Sequence, residues 1–281
     1  TIARAAVRLN PDVDAGTHRK ISTGRAENKF GVALHEARRW FANARELKAV
    51  RLDGLHVHIG SQILSLEPFR LALGRVAEFW RELAAQGHAI DSIDVGGGLG
   101  VRYRGDQDSP IALGDYAAAI RELLADFHGR IVLEPGRLLV AQAGVLVTRV
   151  LRVKEGDSRR FLVLDAAMTE LLRPSLYDAW HDIVPLHDGP RPLSCYDVVG
   201  PVCESGDTFA RGREMPTCEA GDLVVIDGAG AYGASMASTY NSRPLRPEVL
   251  VDGGRFAVVR RAQTMDELTA GESLPQEWHS T

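Results

Sequence analysis

Three short segments of the sequence combine glycines with side chains that can hold a phosphate or move a proton. They are His56-Val57-His58-Ile59-Gly60-Ser61-Gln62, Gly96-Gly97-Gly98-Leu99-Gly100 and Glu134-Pro135-Gly136-Arg137. Each segment closes a predicted strand, and parallel α/β architectures bind ligands beyond the carboxyl ends of their strands. The segments therefore predict one shared ligand site at one edge of a sheet.

The glycine run has two interpretations. Glycines after a strand let the backbone approach a phosphate and offer N–H donors to it, and they also make a tight turn. A dinucleotide site is disfavoured, because the spacing G-x-G-x-x-G that starts at Gly96 requires glycine at position 101, which is Val101.

The acid and the histidines leave several roles open. Glu134 could bind a metal, act as a base, pair with a ring nitrogen, or form a surface ion pair with Arg137. His56 and His58 share one face of a strand, and two histidines before a Gly-Ser pair favour a site over a structural role. No third ligand stands at useful spacing from them, so no metal site is predicted.

Two further segments of the second half carry reactive side chains. The loop from Gly200 to Asp207 places Cys203 beside Glu204, where the thiol could donate a proton or the pair could hold an amine; the alternative is a turn with an incidental cysteine. Tyr232 lies in a glycine-rich turn that would otherwise predict only a hairpin.

The elements that must position these residues change character along the chain. The first half alternates strands with amphipathic helices, which predicts a parallel sheet with helical crossovers. After about Ala141, strands follow one another with turns between them, which predicts a mostly antiparallel β domain. The predicted strands are Ile2–Leu9, Gly54–Ile59, Ser92–Val95, Ile131–Leu133, Val145–Val153, Arg160–Leu164, Cys195–Val199, Leu223–Asp227 and Phe256–Arg260, and the segment Pro185–Pro192 is predicted to be a loop.

Composition excludes several classes of function. The 281 residues carry a net charge of −4 with mixed signs and no basic stripe, so no nucleic-acid partner is expected. No apolar run reaches the roughly 20 residues that span a bilayer, and no signal peptide opens the chain. The three cysteines lack C-x-x-C spacing, which favours a reducing cytosol. The chain opens at Thr1 directly in a predicted strand, which favours a fragment of a longer protein.

Together these motifs resemble diaminopimelate decarboxylases, of the alanine-racemase-like fold class of pyridoxal-phosphate enzymes. Besides the segments above, the resemblance rests on five motifs in order: Arg8-Leu9-Asn10-Pro11, Ile21-Ser22-Thr23-Gly24, Glu27-Asn28-Lys29-Phe30-Gly31, Leu172-Arg173-Pro174-Ser175-Leu176-Tyr177 and Gly230-Ala231-Tyr232-Gly233. It implies an α/β fold in which residues 1–142 form about the last four strands of a (β/α)₈ TIM-type barrel that binds pyridoxal 5'-phosphate. Residues 143–281 would form a β-sandwich or barrel-like C-terminal domain.

The resemblance also implies a role for each site residue. The catalytic residues would be Cys203 as proton donor, His58 stacked on the cofactor ring, and Glu134 paired with the pyridine nitrogen. The cofactor contacts would be His58, Ser61, Gly96, Gly97, Gly98, Glu134, Gly136, Arg137 and Tyr232. The substrate contacts would be Arg137, Arg173, Tyr177, Glu204 and Tyr232. The family works as a homodimer, and Cys203 and Glu204 would enter the neighbouring subunit's site.

One feature departs from the family pattern. The Schiff-base lysine of the family lies in a Tyr-Ala-x-Lys-Ala motif, which this sequence lacks; its lysines are Lys20, Lys29, Lys48 and Lys154. We therefore expect the family reaction, meso-2,6-diaminopimelate to L-lysine and CO₂, to be absent from this polypeptide by itself. Alternatives are a same-fold decarboxylase acting on ornithine, arginine or carboxynorspermidine, a non-catalytic fold homologue, or a racemase.

Overall fold

A computed structural model describes residues 1–16, 23–24, 29–105, 107–186, 189–276 and 278. Parts of two family-like motifs, Ile21-Ser22 and Glu27-Asn28, lie outside the described residues, as does Lys20. The chain divides into two compact units, Thr1–Ala143 and Gly144–Thr281.

The first unit contains a five-stranded parallel sheet in the order β2-β1-β3-β4-β5. Its strands are β1 (Ala3–Asn10), β2 (Val32–Ala33), β3 (Val50–Val57), β4 (Ser92–Asp94) and β5 (Arg130–Val132). The predicted parallel sheet and its four strands are confirmed, and the two-residue β2 was not predicted, because so short a pairing carries no hydrophobic period.

The described part of this unit contains four α-helices. They are α1 (Leu34–Ala42), α2 (Glu67–Ala85), α3 (Leu113–Leu123) and α4 (Gly136–Val140). Helix α2 has Pro68 in its first turn, and Gly87 adopts a φ of +83° just past its end, a conformation that glycine reaches without steric cost.

The core of the first unit lies between the sheet and these helices. Leu9, Leu55 and Ile93 point from neighbouring strands into it, and Phe41 of α1 meets Phe79 of α2 edge to face with ring centroids 6.1 Å apart. Because side chains alternate along a strand, the residues between these apolar ones face the opposite side of the sheet. Arg8, His56 and Asp94 are register partners on that polar face.

The second unit is built mainly on a six-stranded sheet in the order β10-β9-β7-β6-β11-β8. The strands of the unit are β6 (Leu146–Glu155), β7 (Arg160–Leu164), β8 (Ile183–Leu186), β9 (Leu193–Val199), β10 (Thr208–Pro216), β11 (Leu223–Ile226), β12 (Glu248–Asp252) and β13 (Arg255–Arg260). The pair β7–β9 is parallel and the other pairs are antiparallel, as predicted for a mostly antiparallel domain. Strands β12 and β13 pair separately, and two short helices complete the unit, α5 (Arg173–Tyr177) and α6 (Met265–Thr269).

The predicted loop Pro185–Pro192 is partly wrong. Pro185 and Leu186 belong to β8, where Pro185 is the register partner of Val224. A proline has no N–H for a strand ladder, which is why it indicated a loop, but β8 is the edge strand of the sheet and needs hydrogen bonds on one side only. Residues 187 and 188 are outside the described part.

In the described part of the chain, no helix combines the length and the apolarity that crossing a membrane requires.

Truncating Phe79 should test where the first unit derives its stability. Phe79 is 1% exposed, so Phe79→Ala should lower the free energy of unfolding by about 3–5 kcal/mol through lost burial and a cavity. Leu71→Ala on the same helix removes a side chain that is 50% exposed and should cost much less. Urea unfolding followed by circular dichroism measures both, and equal losses would contradict the assigned core.

Candidate functional site

The three segments singled out in the first half lie together at the carboxyl edge of the parallel sheet. Strands β3, β4 and β5 are neighbours and end at Val57, Asp94 and Val132, just before each segment begins or within it. Backbone hydrogen bonds join the three strand ends. The N–H of Glu134 donates to the carbonyl of Gly96 at 2.8 Å, and the N–H of Ile63 donates to the carbonyl of Gly98 at 2.9 Å. The predicted convergence of His58, Gly97 and Glu134 is therefore present in the structure.

The glycine run makes this convergence sterically allowed. A Cβ atom on Gly96 would collide with the carbonyl oxygen of Val57, one on Gly97 with that of Glu134, and one on Gly98 with that of Gly60. The glycines are needed because the ends of three strands approach one another at this point. By contrast, a Cβ on Gly136 would meet no atom within 4 Å, so its backbone borders open space.

The imidazole of His58 is held in one orientation. Its Nδ1 accepts a hydrogen bond from the N–H of Gly97 at 3.2 Å, so the neutral ring carries its proton on Nε2. Burial lowers the pKa of His58 from its usual value, and the nearby charge of Arg8 lowers it further. The geometry and the pKa both favour a neutral, fixed ring.

The backbone of His58 is fastened as firmly as its ring. Its carbonyl accepts from Thr23 Oγ1 at 2.7 Å and from the guanidinium of Arg8 at 3.3 Å. These contacts tie the end of β3 to the described part of the Ile21–Gly24 motif and to the neighbouring strand β1.

Glu134 presents a half-exposed carboxylate to the polar face. Its side chain is 51% exposed, and one oxygen lies 3.4 Å from Nε2 of His56, whose side chain is 19% exposed. His56, Asp94 and Glu134 each place one ligand-type atom within 4.8 Å of the others, so they could supply three ligands to a metal ion. Sequence spacing did not indicate this group, because Asp94 and Glu134 come from different strands.

Ser61 and Arg137 are joined directly. One guanidinium nitrogen of Arg137 donates to Ser61 Oγ at 2.9 Å and another to Tyr103 Oη at 2.7 Å, and the residue is 7% exposed. Gln62 holds the loop after Gly100 by two hydrogen bonds between its side-chain amide and the backbone N–H and carbonyl of Val101. Its own φ is +59°. The third segment is thus bonded to the first through Arg137 and Ser61, and the second is bonded to the first through Gly97 and His58.

The segment with Cys203 and Glu204 is the loop of the β9–β10 hairpin, and both residues are exposed. Asp207, 3% exposed, supports it by accepting from the N–H groups of Val202 at 2.8 Å and Met168 at 2.7 Å. Burial raises the pKa of Asp207, although these two hydrogen bonds oppose the rise. The loop is therefore held at its base while Cys203 stays accessible.

Arg173 is fastened within the second unit. The residue is 5% exposed and its guanidinium lies 2.7 Å from Nε2 of His181, whose Nδ1 lies 2.7 Å from the carbonyl of Asp227. Since arginine only donates, the neutral tautomer donates from Nδ1 to Asp227. These two hydrogen bonds link the motif of Arg173 and Tyr177 to the turn that contains Tyr232. Tyr232 is 42% exposed and has a φ of +60°.

The sequence assigns no role to several residues that support these side chains. In the first unit they are Arg8, Gln62, Asp94 and Tyr103, and in the second unit they are His181 and Asp207. Arg8, Gln62 and Asp207 lie within segments quoted above, and Asp94 lies two residues before the glycine run. Their contacts depend on strand register and loop closure, which spacing alone does not reveal.

Comparison with known proteins agrees with this geometry. Residues 2–141 match the family model described as pyridoxal-dependent decarboxylase, pyridoxal binding domain. The chain belongs to the pyridoxal-dependent decarboxylase family.

Within this family, the chain is similar to diaminopimelate decarboxylases. The chain is 50% identical to diaminopimelate decarboxylase of Pseudomonas aeruginosa over 97% of its own length, and 46% identical to that of Zymomonas mobilis over 96%. It spans 65% and 64% of the lengths of these curated relatives. A crystal structure of diaminopimelate decarboxylase from Helicobacter pylori complexed with L-lysine superposes with a TM-score of 0.91 and 43% identity, covering 96% of this chain and 66% of that one.

Replacing a strand-end glycine should destabilise the first unit. Gly97→Ala forces the Glu134 backbone away, and we expect a loss of about 1–3 kcal/mol in the free energy of unfolding. Gly74→Ala in α2 adds a Cβ that meets nothing within 4 Å and should instead stabilise the helix by about 0.5–1 kcal/mol. Urea midpoints of the two variants should therefore shift in opposite directions; a stabilised Gly97→Ala would refute the steric argument.

The stability of the chain should also depend on the protonation of His58. Because its pKa is lowered in the folded state, the unfolded chain takes up a proton first as the pH falls below about 6.5, so acid lowers stability. His58→Gln should lessen the loss of stability between pH 7.5 and 5.5, measured by urea unfolding. The exposed His128→Gln is the matched control, and an unchanged pH dependence in His58→Gln would count against a buried neutral ring.

Proposed function

We propose that this chain is part of a pyridoxal 5'-phosphate-dependent decarboxylase that converts meso-2,6-diaminopimelate to L-lysine and CO₂. The observation that carries the proposal is that a fixed neutral imidazole, His58, and a half-exposed carboxylate, Glu134, lie at the same edge of the sheet. The relatives support the choice of substrate, and L-lysine, the ligand of the Helicobacter pylori structure, would be the product.

The residues at the strand edge fit the cofactor. Pyridoxal phosphate supplies an electron sink whose strength depends on a protonated pyridine nitrogen, and a carboxylate is the partner that keeps it protonated. Glu134 would pair with that nitrogen, and the oriented ring of His58 would stack on the cofactor plane. The open space beside Gly136 provides room for a ligand to reach the backbone.

The hydrogen bonds of the glycine amides indicate which residues are free to contact the phosphate. The N–H of Gly96 donates to the Asp94 carboxylate at 2.8 Å, and the N–H of Gly97 donates to His58. Both amides therefore already have acceptors, and these two glycines act by shaping the strand edge. The N–H of Gly136 likewise donates to the Glu134 carbonyl at 2.8 Å, so Ser61 and Gly98 are the better candidates in this unit for contacting the phosphate.

Substrate binding would use arginines and an acid. Diaminopimelate carries two carboxylates, for which arginine is a bidentate partner, and two ammonium groups, one of which Glu204 would hold. The remaining substrate contacts would be Arg137, Arg173, Tyr177 and Tyr232, as the resemblance implies. The bond of Arg137 to Ser61 means that this arginine would also position a phosphate ligand.

Cys203 is proposed as the acid that protonates the substrate carbon after CO₂ leaves. The residue is exposed on a loop whose base is fixed through Asp207, so its thiol is accessible and its loop is ordered. In a homodimer, which we propose for the active protein, Cys203 and Glu204 would act in the neighbouring subunit's site. Cysteines used in this way suit a reducing cytosol.

The chain by itself should not form the covalent bond to the cofactor. Incubation with pyridoxal 5'-phosphate, borohydride reduction and peptide mass spectrometry should find no pyridoxyl group on the lysines of this chain, because none lies in a Tyr-Ala-x-Lys-Ala motif. The gene extended upstream should yield a protein with one modified lysine. A stoichiometric adduct on Lys20, Lys29, Lys48 or Lys154 would contradict the proposal.

Decarboxylation rates of the upstream-extended protein would identify the substrate. It should form lysine from meso-diaminopimelate faster than it decarboxylates ornithine or arginine, and Glu134→Gln should lower that rate by at least about tenfold. Faster turnover of ornithine would favour the same-fold alternative. No decarboxylation of any of the three would favour the non-catalytic one.

A further inference from the structure

His56 is not assigned a role by the resemblance, yet its imidazole lies beside the Glu134 carboxylate. Its Nε2 atom lies 3.4 Å from one Glu134 oxygen. Nε2 is shielded from solvent and makes no hydrogen bond to any described residue, so a small rotation of the carboxylate would give this nitrogen its partner.

The two side chains differ in how firmly they are held. The His56 side chain is 19% exposed and belongs to β3, which pairs with β1 on one side and β4 on the other, whereas the Glu134 side chain is 51% exposed and lies beyond the end of β5. The imidazole is therefore the fixed partner and the carboxylate the adjustable one. Contact with a fixed donor would limit the orientations of Glu134.

The charges around the pair favour the same arrangement. Asp94 is the register partner of His56 and places a carboxylate oxygen within 4.8 Å of both the imidazole and Glu134. Two carboxylates this close repel each other, and an imidazole N–H within reach of both is a donor that can offset part of this repulsion. Among the described residues, Arg8 and His58 also interact electrostatically with Glu134, and Tyr116 interacts with Asp94.

We propose that His56 is the positioning residue of the ring-nitrogen site: its Nε2–H donates to one Glu134 oxygen and leaves the other for a pyridine nitrogen. Nε2 donates both in the charged imidazole and in the neutral Nε2–H tautomer, so the contact needs no particular charge on His56. This inference rests on the proposed function, because it gives Glu134 the pyridine nitrogen as its ligand.

The test uses ligands that bind without a lysine. Pyridoxine 5'-phosphate has no aldehyde, and its 1-deaza analogue replaces the ring nitrogen by carbon while leaving the phosphate unchanged. The dissociation constants of both are measured by fluorescence with the chain as it stands, and the absorbance of bound pyridoxine 5'-phosphate reports protonation of the ring nitrogen.

We expect the unmodified chain to prefer pyridoxine 5'-phosphate over its deaza analogue by about tenfold or more, the strength of a charge-assisted hydrogen bond. His56→Phe should lose most of this preference and the absorbance of the protonated ring, while its affinity for the deaza analogue stays the same. His56→Gln, which keeps a donor, should retain more of the preference. If His56→Phe does not fold, His56→Ala replaces it in the test. His128→Ala removes an exposed histidine and is the control, which should keep the full preference.

The outcomes separate the two proposals. If Glu134→Gln abolishes the preference and His56→Phe and His56→Ala retain it, the role of His56 is refuted while the function of Glu134 stands. Equal weakening of both ligands in the His56 variants would make the residue merely structural and refute its positioning role. If the unmodified chain shows no preference, the pairing of Glu134 with a pyridine nitrogen is refuted, and the inference about His56 is refuted with it.

Discussion

The close approach of three strand ends around Gly96, Gly97 and Gly98 is the constraint on which the rest of the site depends. Each glycine faces a backbone carbonyl of a neighbouring strand end at a distance that no Cβ would permit. The same backbone supplies the N–H that fixes His58 and the carbonyl that accepts from Glu134. The same three glycines are therefore required by sterics and supply the hydrogen bonds of the site. A larger residue at any of them would push the strand ends apart and separate the His58 imidazole from the Glu134 carboxylate.

The polar face of the parallel sheet extends this arrangement. Strand register aligns Arg8, His56 and Asp94 across β1, β3 and β4, and alternation places their neighbours in the apolar core on the other face. A charged row on one face is compatible with stability only because the opposite face buries large apolar side chains against the helices. The sheet thus separates the part that stabilises the fold from the part that can bind a charged ligand.

The second unit carries its reactive side chains on loops that buried polar residues support. Asp207 holds the base of the β9–β10 hairpin loop by two backbone hydrogen bonds, and His181 joins Arg173 to the carbonyl of Asp227. In both cases a buried polar residue satisfies backbone or side-chain groups that would otherwise be costly to bury. Exposed residues such as Cys203 are therefore carried on ordered loops, which suits the role proposed for that thiol.

The sequence by itself determined the parallel sheet, the antiparallel second unit and the motifs at the strand ends, because hydrophobic period and glycine placement act locally. It did not reveal β8, where a proline is tolerated at a sheet edge, or β10, whose pairing with β9 carries two register shifts. Only the tertiary structure decided that His56 contacts Glu134, that the N–H of Gly97 donates to His58, and that Asp207 supports the loop of Cys203. These contacts join residues on different strands or across a hairpin loop, and register and packing, which spacing along the chain does not encode, bring them together.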